Sequence, residues 1–255
     1  MFLIDVAGFT IWGQRNRVAP SPVFITEDGF TGWDDTPDMR RSSIDRPNAH
    51  GEFDAVGYLT ARTASFSGHV VTGSPQETAA LGQRMRGLLS DGSLGRVTVQ
   101  RDDHSEWADG RLASSTKFTV HGSDPTVADW QMQFWFPDPR KYGAMNHETS
   151  SSGSLVTRHF GNTRASTRFV VSGDAERWRI TGPGSRSVLV TQRLYPGHPH
   201  VYDMATGQLV IEGVVQYGGV EVADSWTVPA GRQLNHTLSA TGSATAEAFT
   251  YDTYV

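Results

Sequence analysis

Asp129-Trp130-Gln131-Met132-Gln133-Phe134-Trp135-Phe136-Pro137 carries the plainest structural signal in the chain. Trp130, Met132, Phe134 and Phe136 alternate with Gln131, Gln133 and Trp135. A period of two places the first set on one buried face of a sheet. The same rhythm recurs at Val97 and Val99 and at Phe118 and Val120. Further runs predict strands over Phe2–Val6, Val23–Thr26, Ala64–Val71, Arg168–Val171, Trp178–Thr181, Val188–Gln192, Gln208–Glu212 and Ala246–Tyr251. Asp28-Gly29, Asp91-Gly92, Asp109-Gly110 and Thr206-Gly207 punctuate these runs as turn signals. The fold class expected is mainly β.

One segment reads as a helix. Ser74-Pro75-Gln76-Glu77 combines a Ser cap, Pro at the first helical position and Glu three residues after the cap. Ala80, Leu81, Arg84, Met85, Leu88 and Leu89 then follow a helical stripe, so a helix over Pro75–Leu89 is expected to lay Leu81, Met85 and Leu88 on a sheet. Regular structure is expected to stop at Phe136–Gly143, with its two prolines. Thr149–Ser154 reads as a flexible polar stretch. These features predict two domains, 1–148 with the helix and 149–255 as a smaller all-β domain that is poorer in charge.

Composition excludes several functions. A chain of 255 residues buries enough surface to fold without disulfide or metal. With no Cys, thiolate nucleophiles, iron–sulfur clusters and Cys-based zinc sites are ruled out. Lys+Arg is 22 against Asp+Glu 27, a net charge of −5. A general nucleic-acid binder carries a basic excess, so sequence-specific nucleic-acid binding is not expected. No apolar run approaches the roughly 20 residues that cross a bilayer, and Asp5 interrupts the N-terminus before a signal-peptide core forms. A soluble protein without membrane insertion is expected. Only Lys117 and Lys141 are lysine, an arginine bias that fits a high-GC genome.

Catalytic constellations are absent from the pattern. No phosphate-binding glycine loop and no Gly-x-Ser-x-Gly elbow occurs. Asp34-Asp35 and Asp102-Asp103-His104 read as solvated loop charges, and His198 and His200 flank Pro199 without a third ligand nearby. No catalytic, cofactor-binding or metal residue is therefore named. The second domain is rich in aromatics, which either fill a small sandwich core or stack on sugar rings from exposed loops. Tyr195 and Tyr202, flanking Pro196–Pro199, are expected to be an exposed pair. With His198 and His200 they form a candidate carbohydrate contact.

The order of features carries a further reading. Gly32-Trp33-Asp34-Asp35, Arg41 through Arg46, His50-Gly51, Gly57-Tyr58 and Arg62 precede the capped helix. Trp130–Phe136 then ends in Asp138-Pro139-Arg140-Lys141-Tyr142-Gly143. Phe160-Gly161-Asn162-Thr163, Gly207–Gly213 and Pro229-Ala230-Gly231 with Leu234-Asn235 follow in the second part. This succession resembles the distal tail proteins of long-tailed bacteriophages (siphoviruses), particularly minor tail proteins of phages infecting actinobacteria. The resemblance implies an N-terminal β-sandwich with one α-helix and a C-terminal galectin-like β-sandwich that faces outward. It implies a structural, non-enzymatic virion protein without cofactors, assembled in the host cytoplasm into a homo-hexameric ring at the tail tip or baseplate. Its implied partners are its own copies, the tail tube protein, the tail-tip hub or tail-associated proteins, and the tape measure protein. The rival functions are a carbohydrate-binding tail protein that recognises the host envelope through its second domain and, with no acid/base pair to support it, an envelope hydrolase.

Overall fold

The computed structural model describes residues 2–13, 21–102, 104–150 and 153–255. Asp103 of the acidic cluster and Ser151-Ser152 of the polar stretch lie outside the described residues. The chain forms two compact units, one running to Lys141 with Val255 counted to it, the other Tyr142–Tyr254.

The first unit contains β1 (Phe2–Val6), β2 (Phe9–Trp12), β3 (Val23–Thr31), four two-residue strands, β8 (Arg62–Val71), α1 (Pro75–Gly87), β9 (Gly95–Arg101), β10 (His104–Leu112), β11 (Lys117–Val120) and β12 (Val127–Phe136). The short strands are β4 (Met39–Arg40), β5 (Ile44–Asp45), β6 (Glu52–Phe53) and β7 (Tyr58–Leu59). β12 organises the unit. It pairs along its whole length with β8, from Val127↔Val71 to Phe136↔Arg62. Its other side pairs first with β11 and then with the end of β10. From β8 the pairing continues to β3, and from β10 through β9 and β1 to β2. One parallel bridge, Trp12↔Phe24, joins β2 to β3, and the enclosed space is the core.

The expected alternation holds along β12. Ala128, Trp130, Met132, Phe134 and Phe136 are buried, while Trp135 points outward. Phe66 of β8 meets Phe134 with ring centroids 5.6 Å apart, and Trp33 meets Phe136 edge-on at 5.5 Å. Each such large side chain contributes about 1.5–3 kcal/mol by leaving water.

The helix starts as its signals predict. Ser74 accepts a hydrogen bond from the Glu77 amide, while the Glu77 carboxylate accepts one from the Gly73 amide. It ends two residues early, at Gly87, because Leu88 is extended and Leu89 adopts φ of 51°. Met85 is fully buried in the core, whereas Leu81 and Leu88 are half-buried against it. Met85→Ala is therefore expected to cost about 2–5 kcal/mol in urea denaturation, and the half-exposed Leu88→Ala less. Arg84 is exposed with its guanidinium 4.9 Å from the Phe9 ring centroid, so Arg84→Ala should cost only about 0.5–1 kcal/mol.

The second unit is a β-sandwich built on two long strands. Its strands are β13 (Lys141–Thr149), β14 (Ser154–Arg158), β15 (Thr167–Thr181), β16 (Ser187–Val190), β17 (His200–Asp203), β18 (Gln208–Ile211), β19 (Val214–Gln216), β20 (Val220–Ala223) and β21 (Gln233–Tyr254). β15 and β21 pair from Thr167↔Thr250 to Thr181↔Thr237, with a bulge between Ala175 and Arg177. On one side of that bulge β15 takes β17 as its second partner, and on the other it takes β16. β17 leads on to β18 and β19, and β16 to β20. Phe169, Val171, Trp178, Ile180, Val188 and Ala246 fill the core between.

Three expectations change. Arg168–Val171 and Trp178–Thr181 belong to one continuous strand rather than two. Asp109-Gly110 is not a turn but the interior of β10, where Gly110 lies against Phe136: a Cβ there would sit 2.6 Å from the ring. The interruption at Pro137 ends by Lys141, where β13 begins. β13 hydrogen-bonds to β21, so the units divide at its start rather than at the expected 148/149. A fragment beginning at Tyr142 is expected to give a cooperative thermal transition. One beginning at Leu155, which lacks β13, should melt lower by differential scanning fluorimetry.

Candidate functional site

Of the four candidate carbohydrate contacts two are buried and two exposed, and all but Tyr202 line one cleft. Tyr202, within β17, is 1% exposed and sits in the core. Burial, with Asp203 beside it, pushes its phenol above the usual range. His200 is also 1% exposed, and its Nδ1 accepts a hydrogen bond from Trp178 Nε1 at 3.1 Å. Burial holds this imidazole below its usual pKa, as the acceptor role requires. The expectation of an exposed Tyr195–Tyr202 pair is thus corrected: the alternation of β17 turns His200 and Tyr202 inward together.

Tyr195 and His198 remain at the surface, 59% exposed in the first case. The His198 amide donates to the Tyr195 carbonyl at 3.1 Å across Pro196-Gly197. Gly197 has φ of 82°, so Pro and Gly occupy the positions that a type II turn demands. Arg193 places its guanidinium 5.7 Å from the Tyr195 ring centroid and pairs with Asp174. His198 Nδ1 lies 2.8 Å from Glu212 Oε1. Arg193, Tyr195, Pro196, His198, Ile211 and Glu212, together with Gln192 and the buried His200, line an open cleft of about 670 Å³. An aromatic face beside a cation and a carboxylate suits a polyhydroxylated ligand better than an apolar one.

The first unit holds its polar chemistry in a buried cluster that the sequence reading did not single out. Arg62 is 2% exposed, and its guanidinium donates to the carbonyls of Pro139 (3.0 Å), Gly32 (3.1 Å), Trp33 (2.7 Å) and Asp35 (2.6 Å). Glu106 accepts from Trp33 Nε1 at 3.1 Å and pairs with Lys141 at 2.8 Å. Burial works to raise the Glu106 carboxyl, but hydrogen bonds from Lys141, His104 and Trp33 hold it below the usual range. A signal existed: Arg62 occupies an inward position of the β8 alternation, two residues before Ala64. Asp34-Asp35, expected as solvated charges, also brace this turn, with Asp34 paired to Arg101. The cluster clamps two chain segments and exposes no reactive group.

Residues 38–60 leave the first unit as a two-tiered hairpin arm. Met39↔Leu59 and Arg40↔Tyr58 pair in the stem, Ile44↔Phe53 and Asp45↔Glu52 near the tip. Every residue from Asp38 to Val56 is exposed. Ile44 (72%), Phe53 (57%), Val56 (78%) and Tyr58 (64%) have no core to enter. An isolated two-stranded hairpin is marginal in water, so an arm of this kind needs a covering surface. Among the described residues no group of three or more His, Asp or Glu could hold a metal, and no helix is long and apolar enough to cross a membrane.

No protein-family model matches the chain, and no curated protein does. Solved structures do. The Dit protein of phage SPP1, described as a paradigm of hub adsorption apparatus in phages infecting Gram-positive bacteria, aligns over 100% of both chains with a TM-score of 0.75 at 13% identity. A chain of the phage P2 baseplate in its activated conformation with Ca aligns over 98% of both chains (TM-score 0.54, 6% identity). Its counterpart with Sr aligns over 97% (TM-score 0.50, 7% identity). At these identities the likeness is one of fold.

Proposed function

We propose that this chain is a structural protein of a phage tail tip: a distal tail protein whose first unit forms a homo-hexameric ring. Through that ring it joins the tail tube to the hub and adhesion apparatus of a siphovirus, with the tape measure protein as a further neighbour and assembly in the host cytoplasm. The observation that carries the reading is the whole-length match of both units, in order, to a Dit protein of a hub adsorption apparatus. The uncovered arm supports it, because a heterologous contact repeated by rotation hides such a surface on every copy. No enzymatic step is included in the reading. The arginine bias agrees with an actinobacterial host. Native mass spectrometry and negative-stain micrographs of the purified protein, alone and with its tube protein, test this. Closed rings are expected, and a monomer that persists in both conditions overturns it.

A second reading rests on the Tyr195–His198 cleft: glycan recognition by the second unit. Six copies would multiply weak single contacts into useful avidity. Rings titrated with host cell-wall polysaccharide are expected to bind saturably and to lose binding on Tyr195→Ala. Absence of saturable binding by wild-type rings removes this reading without touching the first.

A further inference from the structure

We infer that the Tyr195–His198 cleft selects sugars that carry an ammonium group over acidic sugars, and that Glu212 is the residue that reads this charge. The inference rests on the glycan reading and deepens it by naming the ligand class. Glu212 reaches the cleft from the β18–β19 hairpin, which is closed by Ile211↔Val214 and turned by Glu212 and Gly213 alone. Both turn residues have positive φ, 50° and 80°, the pattern of a type I′ turn. Such a turn favours Asn, Asp or Gly at its first position. Glu212 is the one charged residue with positive φ among the described residues. An unfavourable conformation kept by an ionisable side chain points to a use for that side chain.

The Glu212 carboxylate is placed by its neighbour. Oε1 lies 2.8 Å from His198 Nδ1, so the hairpin tip and the Pro196-Gly197 turn hold one another at the cleft. Oε2 has no hydrogen-bond partner among the described residues, and the side chain is 65% exposed. One oxygen therefore remains to accept from a ligand, beside the exposed Tyr195 ring on which a sugar can stack.

The charge around the cleft is acidic. Arg193 is the one guanidinium of the lining, and it is matched by Asp174 and, at 3.9 Å, by Glu176. Glu212 faces only the imidazole of His198. His200, the other imidazole, is buried and accepts from Trp178, which keeps it neutral. The lining residues and their ion-pair partners thus set one fixed cation against three carboxylates, a net charge of −2 with both imidazoles neutral. A phosphate or carboxylate entering these surroundings is repelled. An ammonium is attracted, and Glu212 Oε2 can accept a charge-assisted hydrogen bond from it. Arg193 does not reverse the preference, because its charge is already paired within the protein.

The test titrates the full chain with three glucan oligomers of equal length that differ only at the sixth carbon, which carries an ammonium, a hydroxyl or a carboxylate. At low ionic strength and about pH 7.5, where an exposed imidazole is largely neutral, calorimetry is expected to rank them in that order. The ammonium form should bind at least about threefold tighter than the hydroxyl form, and Glu212→Gln should bring the two to within about 1.5-fold. Glu212→Asn should lose the same preference while melting at or above the wild-type temperature, because Asn suits the turn better. A residue that served only the turn would leave the ranking unchanged when replaced. Equal binding of the ammonium and hydroxyl forms, tightest binding of the carboxylate form, or a preference that survives Glu212→Gln overturns the inference. If none of the three binds but the host polysaccharide does, selection by charge is overturned and the glycan reading stands. If the host polysaccharide also fails to bind wild-type rings, both fall.

Discussion

Arg62→Met should destabilise the first unit by about 3–5 kcal/mol, measured by urea denaturation, although it replaces a charge with a side chain of similar length. Arg62 is buried and serves four carbonyls from two separate segments, Gly32–Asp35 and Pro139. Stripped of its donor, the buried Trp33 carbonyl costs about 1–3 kcal/mol, and the three part-buried carbonyls add smaller penalties that water partly relieves. A thioether supplies nothing in return. Arg62→Lys should recover only part of the loss, because one ammonium cannot span the positions that a planar fork reaches. Glu106→Gln is the companion experiment. It keeps an acceptor for Trp33 Nε1 but leaves the buried Lys141 ammonium unpaired, so a loss of similar size is expected. If Arg62→Met costs less than about 1 kcal/mol, the clamp has no energetic role.

Acid should weaken the second unit through its buried imidazoles. Trp178 Nε1 donates to His200 Nδ1, and Trp226 Nε1 donates to His236 Nε2 at 2.9 Å. Each imidazole must be neutral to accept, and burial holds both below the usual 6.5. The unfolded chain therefore takes up these protons at a higher pH than the folded one. Their contribution is complete above pH 6.5 and is lost as pH falls from there through the folded values. The slope is at most about 1.4 kcal/mol per pH unit for each group. Urea midpoints for the Tyr142 fragment should fall between pH 7.5 and 5.5. His236→Gln, whose carbonyl can accept from Trp226 without titrating, should flatten the profile. A profile already flat in wild type would show that neither imidazole is coupled to folding.

How far the sequence could be read depended on how each residue signals its surroundings. β12 and β8 were legible because one face of each is core and the other is polar, so the alternation is written in residue type. The helix start was legible because Ser74, Pro75 and Glu77 each meet a local geometric demand. β10 was misread because its Gly110 is there for close approach of Phe136, not for a turn, and composition cannot separate these causes. The first half of β21 escaped notice because residues 239–245 are small and polar, with their pairing supplied by β15. At the candidate cleft, Pro196-Gly197 announced the turn. The inward rotation of His200 and Tyr202 depended on pairing with Phe169 and Val171, some thirty residues earlier, which no local pattern records. Gln192, Arg193 and Glu212 came to the cleft by the same tertiary route.

The long pairing of β15 with β21 also constrains how the molecule is made. Partners such as Thr167 and Thr250 are separated by most of the second unit, so the contact order is high and closure is slow. β21 is the last strand of the unit to leave the ribosome, yet β13, β14 and β15 all hydrogen-bond to it. Until residues 233–254 emerge, those three strands wait with unsatisfied backbone edges, the condition in which nascent β chains find wrong partners. The insoluble fraction on expression is therefore expected to follow the interval between synthesis of β15 and of β21. Slowing translation across that interval should raise the insoluble fraction, and binding of the nascent edges by a holdase chaperone should lower it.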